Sequence, residues 1–131
     1  MSDRVEYIRH RLDALEAAAK AARPGPWRLA ESEWDGRHIA AADGEAVMGV
    51  YGYGADDPYA MQNAEHIALW DPAAVLARVA ADRAILAEYE RAAEYHNRPE
   101  NRDAPAGEVT GLYTAVQLLA EGLGWTESDD E

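Results

Sequence analysis

The sequence predicts an α+β fold: a long N-terminal helix, a three-stranded antiparallel meander and three further helices packed on one sheet face. Three observations predict it. Apolar residues near the N-terminus recur at helical spacing. Asp35-Gly36 and Asp43-Gly44 punctuate three short strand-like runs. Asp57-Pro58 and Asp71-Pro72 each open a stretch of helical periodicity. A chain of 131 residues fits one domain, here residues 1–125, with an acidic mobile tail at 126–131.

The first helix is expected from Asp3 to Ala22, with Ser2 or Asp3 as its cap. Val5, Ile8, Leu12, Leu15, Ala19 and Ala22 step by three and four residues, a narrow seam suited to packing on another helix. Pro24-Gly25-Pro26 ends that helix, because proline removes a backbone donor and restricts the residue before it. Trp27 is expected to plug the corner.

The strand runs are Trp27–Trp34, Arg37–Ala42 and Glu45–Tyr51. Asp-Gly between such runs favours two-residue hairpin turns, since those turns need positive φ. Two-residue turns would set residue 34 opposite 37, 32 opposite 39, 42 opposite 45 and 39 opposite 48. Strand alternation then collects Ala30, Trp34, Ile39, Ala41, Ala46, Met48 and Val50 on a core face. The opposite, mixed face collects Glu31, Glu33 and His38 among others.

After a glycine-rich loop, Asp57-Pro58 reads as an N-cap followed by proline at the first helical position. The second helix is expected over Pro58–Trp70. Asp71-Pro72 repeats the signal for a third helix reaching Tyr95, with Val75, Leu76, Val79, Leu86 and Tyr89 inward. Asn97–Gly107 is polar and proline-bearing, hence a loop. A fourth helix is expected over Glu108–Gly122.

Composition narrows the chemistry. The chain has no cysteine, which removes disulfides, thiol catalysis and thiolate metal sites and suits a reducing cytoplasm. No apolar run reaches the roughly 18 residues of a spanning helix, and the charged N-terminus lacks a signal-peptide core. A cytoplasmic location is expected. The formal net charge is −13, and residues 31–60 hold seven acids against Arg37 alone. Nucleic-acid affinity comes mostly from neutralising phosphates with Lys and Arg, so direct binding to DNA or RNA is not expected. A basic protein partner is.

Candidate sites were weighed against plain structural roles. Glu31, Glu33 and His38 form the alternative site, two carboxylates and an imidazole able to bind a metal or do acid–base work. A surface pair explains them as well. His66 reads as a core-edge histidine. The run Gly49–Gly54 precedes a helix, the setting for anion binding. Asp56 and Asp57 would repel phosphate there, and the Lys-Ser/Thr of a P-loop is missing. Its tyrosines are better read as contact residues, so Tyr51, Tyr53, Asp56, Asp57 and Tyr59 form the expected interaction loop. None of the serines sits in a nucleophile elbow. No catalytic residue, metal or cofactor is expected.

Three motifs stand in order: Pro24-Gly25-Pro26-Trp27, then Ala64-Glu65-His66-Ile67-Ala68, then Asp71-Pro72-Ala73-Ala74-Val75-Leu76. In these the chain resembles an uncharacterised family of small acidic proteins of actinobacteria and their phages. A looser likeness extends to Ead-like phage early-region proteins. The resemblance implies a mobile-element context and supplies no catalytic residues. Members of that family carry a cysteine-bearing segment between the last two helices. Arg98–Gly107 occupies that place here without cysteine, so a metal role for the segment does not transfer.

These readings point to a non-enzymatic acidic interaction protein that binds a basic host or phage protein. An inhibitor of a nucleic-acid-handling or defence enzyme is a specific form. The alternative is a small-molecule or metal-binding module, or a weak enzyme, using the mixed sheet face.

Overall fold

Residues 2–32, 36–50 and 59–126 are described by the structure, a computed structural model of the chain. The elements follow in the order α1 (Ser2–Ala21), β1 (Arg28–Ser32), β2 (Gly36–Ala40), β3 (Ala46–Gly49), α2 (Ala60–Leu69), α3 (Pro72–Asn97) and α4 (Gly107–Gly122). A short 3-10 turn, Pro99–Asn101, lies in the segment expected as a loop. The architecture is the expected α+β one. The chain falls into two compact units, residues 15–78 and residues 1–14 together with 79–131.

Residues 15–78 contain the sheet, with strand order β1-β2-β3 and both pairings antiparallel. Ile39 faces Met48, as the spacing around Asp43-Gly44 requires. A bulge between Ile39 and Ala40 then brings Ala40 opposite Ala46. The turn itself is wider than two residues: Ala41 N–H donates to Glu45 O at 2.8 Å, and Gly44 takes φ +86°. That is the three-residue pattern, in which a left-handed glycine closes the loop.

The first hairpin corrects the expected register. Ser32 faces Gly36, Ala30 faces His38 and Leu29 faces Ile39. The pairing is offset by three from the two-residue expectation, and an odd offset turns every β1 side chain to the other face. Leu29, not Ala30, therefore shares the face of Ile39. Glu31 faces Arg37 on that same side, away from His38. Trp34, placed on the core face by the sequence, lies outside the described residues.

The centre of the sheet is buried on both faces. Ile39 and Ala41 are fully buried on one side, and His38 and Ala40 are buried on the other. Full burial of one such aliphatic side chain stabilises by roughly 1.5–3 kcal/mol. The apolar side of α2 lies against β1, with Ala64 buried.

In the second unit, α1 and α3 run antiparallel, since Arg9 pairs with Glu90 and Asp13 with Arg83. Arg91 bridges Glu88 and Glu108, linking α3 to the start of α4. Hydrogen bonds that Arg91 donates to Glu88 and then Glu108 hold its guanidinium above its ordinary pKa. A raised value means the contribution is present below the ordinary arginine range and lost only above it, so neutral pH leaves it intact. These pairs are exposed, and exposed pairs stabilise little because water and salt screen them. The core contributes more: Ile8, Leu12, Val79, Leu86, Val116 and Leu119 are buried. Of the predicted α1 seam, Ile8, Leu12 and Ala19 are buried, while Ala22 lies beyond the helix and is exposed.

Trp125 follows α4 and is buried against Tyr7, ring edge to face at 5.0 Å. Tyr7 donates its hydroxyl to Leu123 O at 3.1 Å, and the Arg4 guanidinium lies 5.9 Å from the Trp125 ring centre. The Trp125 indole N–H is buried and has no partner among the described residues. That orphan costs about 1–3 kcal/mol. Burying roughly 150–250 Å² of aromatic surface is worth about 4–6 kcal/mol, so the ring stays in. Among the described residues no helix is long and apolar enough to cross a membrane.

Candidate functional site

Asp71 is the junction of the residue 15–78 unit. Its carboxylate is buried. Oδ1 accepts the backbone N–H of Ala74 at 2.8 Å, which makes Asp71 the N-cap of α3, as its Asp-Pro signal predicts. Oδ2 accepts the backbone N–H of Trp27 at 2.6 Å. One side chain thus caps a helix and anchors the Pro-Gly-Pro-Trp segment.

The same segment is fixed from three further directions. The Trp27 indole N–H donates to Arg23 O at 3.0 Å, folding the ring back over the corner it was expected to plug. Pro24 O accepts the N–H of Ala42 at 3.0 Å, tying the corner to the second hairpin. Gly25 packs directly on the start of α3. A Cβ there would sit 2.7 Å from Ala73 N and 3.1 Å from Asp71 Cγ, closer than a side chain tolerates. Glycine is required at this position by close approach rather than by φ.

The sequence-derived site residues are not brought together. Glu31 and His38 lie on opposite faces of the sheet. His38 is buried, with Nδ1 3.0 Å from Gly36 O. Glu33 lies outside the described residues, as do Tyr51, Tyr53, Asp56 and Asp57. Tyr59 is described and is 69% exposed at the start of α2. No group of three or more His, Asp or Glu among the described residues could hold a metal ion.

His66 corrects another expectation. It is exposed on α2, not at the edge of the core. The helix is also shorter than its Asp-Pro signal suggests: it begins at Ala60, and Tyr59 makes no side-chain cap bond.

Two recesses flank α2. One, of about 220 Å³, is lined by Ile39, Met48 and Val50 of the sheet side and by Ala60, Asn63 and Ile67 of α2 among others. Its polar side-chain lining is Asn63. The other, of about 240 Å³, holds Leu29, Ala30, Glu31, Arg37 and Met61. Both fall below the roughly 300–1,000 Å³ of typical ligand pockets.

The outward side of α2 was missed as a surface. Tyr59, Gln62, His66 and Leu69 step by three, four and three residues and are all exposed, with Leu69 at 72%. Trp70 follows at 58% exposed. The spacing is present in the sequence.

The family model for a family of unknown function, DUF6221, matches residues 1–122. The chain belongs to that family. No curated protein matches the chain, and no solved structure does. In this DUF6221 member, Pro24–Trp27 and Asp71–Leu76 form one structural clasp.

Proposed function

We propose that this DUF6221 protein is a non-enzymatic, acidic interaction protein of actinobacterial phage or mobile-element origin. It acts in the cytoplasm on a basic host or phage protein. Inhibition of a nucleic-acid-handling or defence enzyme is the specific form we favour. The observation that carries this reading is the clasp: both oxygens of Asp71 and both N–H groups of Trp27 are engaged in holding the fold. The most distinctive polar groups of the chain are thus tied to architecture rather than free to act on a substrate. The acid excess of residues 31–60 and the exposed Tyr59 supply charge steering and an aromatic anchor.

Affinity purification from the native host, read by mass spectrometry, tests the proposal. The expected result is a basic protein whose association slows as salt rises. Tyr53→Ala should mainly speed its dissociation. A duplex-DNA gel shift at physiological salt would sink the reading. So would a partner whose on-rate ignores salt and whose off-rate ignores Tyr53.

A second reading, a small-molecule module, is favoured by the recess under α2 with Asn63 at its wall. The metal form of that reading loses the shared sheet face of Glu31 and His38. Elemental analysis of untagged protein checks it, and one stoichiometric zinc or manganese would revive it.

A further inference from the structure

A third recess lies in the other unit, in the groove between α1 and α3. Its volume is about 330 Å³, larger than either recess beside α2 and within the roughly 300–1,000 Å³ of ligand pockets. Leu12 of α1 and Leu86 of α3, both buried, lie at its base, with Ala87 beside them. Packed helices fill such a groove with side chains from both ridges. A methyl group at position 87 leaves much of it open.

The walls are charged, and the charges alternate in sign around the opening. Arg9 of α1 pairs across the groove with Glu90 of α3, and Asp13 of α1 pairs with Arg83 of α3. The two guanidinium groups thus stand at one pair of diagonal corners and the two carboxylates at the other. Arg9 and Asp13 are one helical turn apart, about 6 Å along α1. One wall therefore presents both signs to a single small molecule. The four side chains range from 42% exposed at Arg83 to 73% at Asp13, so a ligand reaches them without unfolding. Exposed pairs are also weak, so exchanging a partner for a ligand group costs little.

We propose that this recess binds an amphipathic zwitterion, an α-amino acid with a branched aliphatic side chain. Three features select that class. A carboxylate finds a planar guanidinium, the geometry that favours paired hydrogen bonds. An ammonium finds Asp13 or Glu90 in the same ring of charge. An aliphatic side chain covers the apolar base at Leu86 and Ala87. Charge disfavours the simpler ligands. A net charge of −13 repels a plain anion at long range. A plain cation leaves both arginines unused, and the many other carboxylates of this chain serve it as well. A zwitterion uses both diagonals and meets no long-range repulsion.

Such a ligand touches α1 and α3 together, so it stabilises the unit that they build. It is small and its charged partners are screened, which sets the affinity near the millimolar range. The inference goes beyond the partner reading and does not depend on it.

Titration of the isotope-labelled full chain with L-leucine, followed by backbone amide NMR, is the test. The expected result is saturable shifts at Leu12, Leu86 and Ala87 and a higher melting temperature at saturating leucine. Isocaproate lacks the ammonium, isoamylamine lacks the carboxylate and glycine lacks the side chain. Each should bind roughly tenfold more weakly than leucine. Ala87→Leu fills the recess with a good helix former, and Arg9→Ala removes one guanidinium. Each variant should weaken leucine binding roughly tenfold while circular dichroism shows unchanged folding. Asn63→Ala, at the recess beside α2, should leave leucine binding unchanged. No saturable shift with leucine would overturn the proposal. So would isocaproate or isoamylamine binding as well as leucine, binding that survives Ala87→Leu, or binding lost in Asn63→Ala.

Discussion

The two units of this chain are held together in different ways. Residues 15–78 depend on one buried carboxylate, Asp71, which joins a helix start to a proline corner 44 positions earlier in sequence. Residues 1–14 and 79–131 depend on a distributed apolar seam, ornamented at the surface by Arg9–Glu90, Asp13–Arg83 and Arg91–Glu108. A buried polar junction concentrates stability in a few atoms. A greasy seam spreads it over many side chains. The first should be fragile to the loss of a single polar group and the second indifferent to the loss of a surface ion pair.

The largest effect is expected from Ile39→Asp, which places an unpaired charge in the fully buried centre of the sheet. We expect no soluble folded protein, judged by expression and thermal melting. A folded Ile39→Asp would mean that the sheet is not the core of its unit. Asp71→Ala comes next. It removes an N-cap worth about 1 kcal/mol and a charge-assisted bond worth about 1.5–3 kcal/mol, so urea unfolding should show a loss of about 3 kcal/mol. Asp71→Asn keeps the cap but sets an NH2 group, which cannot accept, against the Trp27 N–H, so it should lose about 1.5–3 kcal/mol. A negligible loss in Asp71→Asn would show that the second acceptor, facing Trp27, contributes nothing.

Gly25→Ala forces a Cβ against the Ala73 backbone, and backbone cannot swing aside. A loss of about 1–2 kcal/mol is expected, as for overpacked sites. It should be non-additive with Asp71→Ala, because both act on one junction. Additive losses would separate the corner from the cap. The smallest effect belongs to the other unit. Arg83→Ala removes an exposed ion pair and should cost within about 0.5 kcal/mol. A loss rivalling that of Asp71→Ala would erase the contrast between the units.

Helices were legible in the sequence because their signals are local. The α1 seam, the stop at Pro24 and the cap at Asp71 each act within a few residues, and each appears in the structure. The strands were legible as runs but not as partners. Asp-Gly marks where the chain turns, through the positive φ of Gly36 and Gly44, without stating how many residues the turn takes. One extra residue was absorbed by the bulge after Ile39, so Ile39–Met48 survived. No such compensation occurred on β1, and its faces exchanged. That single error separates Glu31 from His38. The second role of Asp71 was illegible because its partner, the Trp27 N–H, is a backbone group that carries no side-chain signature.

The partition of the chain also sets an order of events during synthesis. Residues 15–78 are one uninterrupted stretch, whereas the other unit draws on both ends. A growing chain therefore holds every residue of the clasp once Leu76 has emerged. At that moment Ile8 and Leu12 have left the ribosome, but Val116 and Leu119 have not yet been made. The segment before residue 15 must wait with its apolar seam uncovered, the condition in which chaperones engage nascent chains.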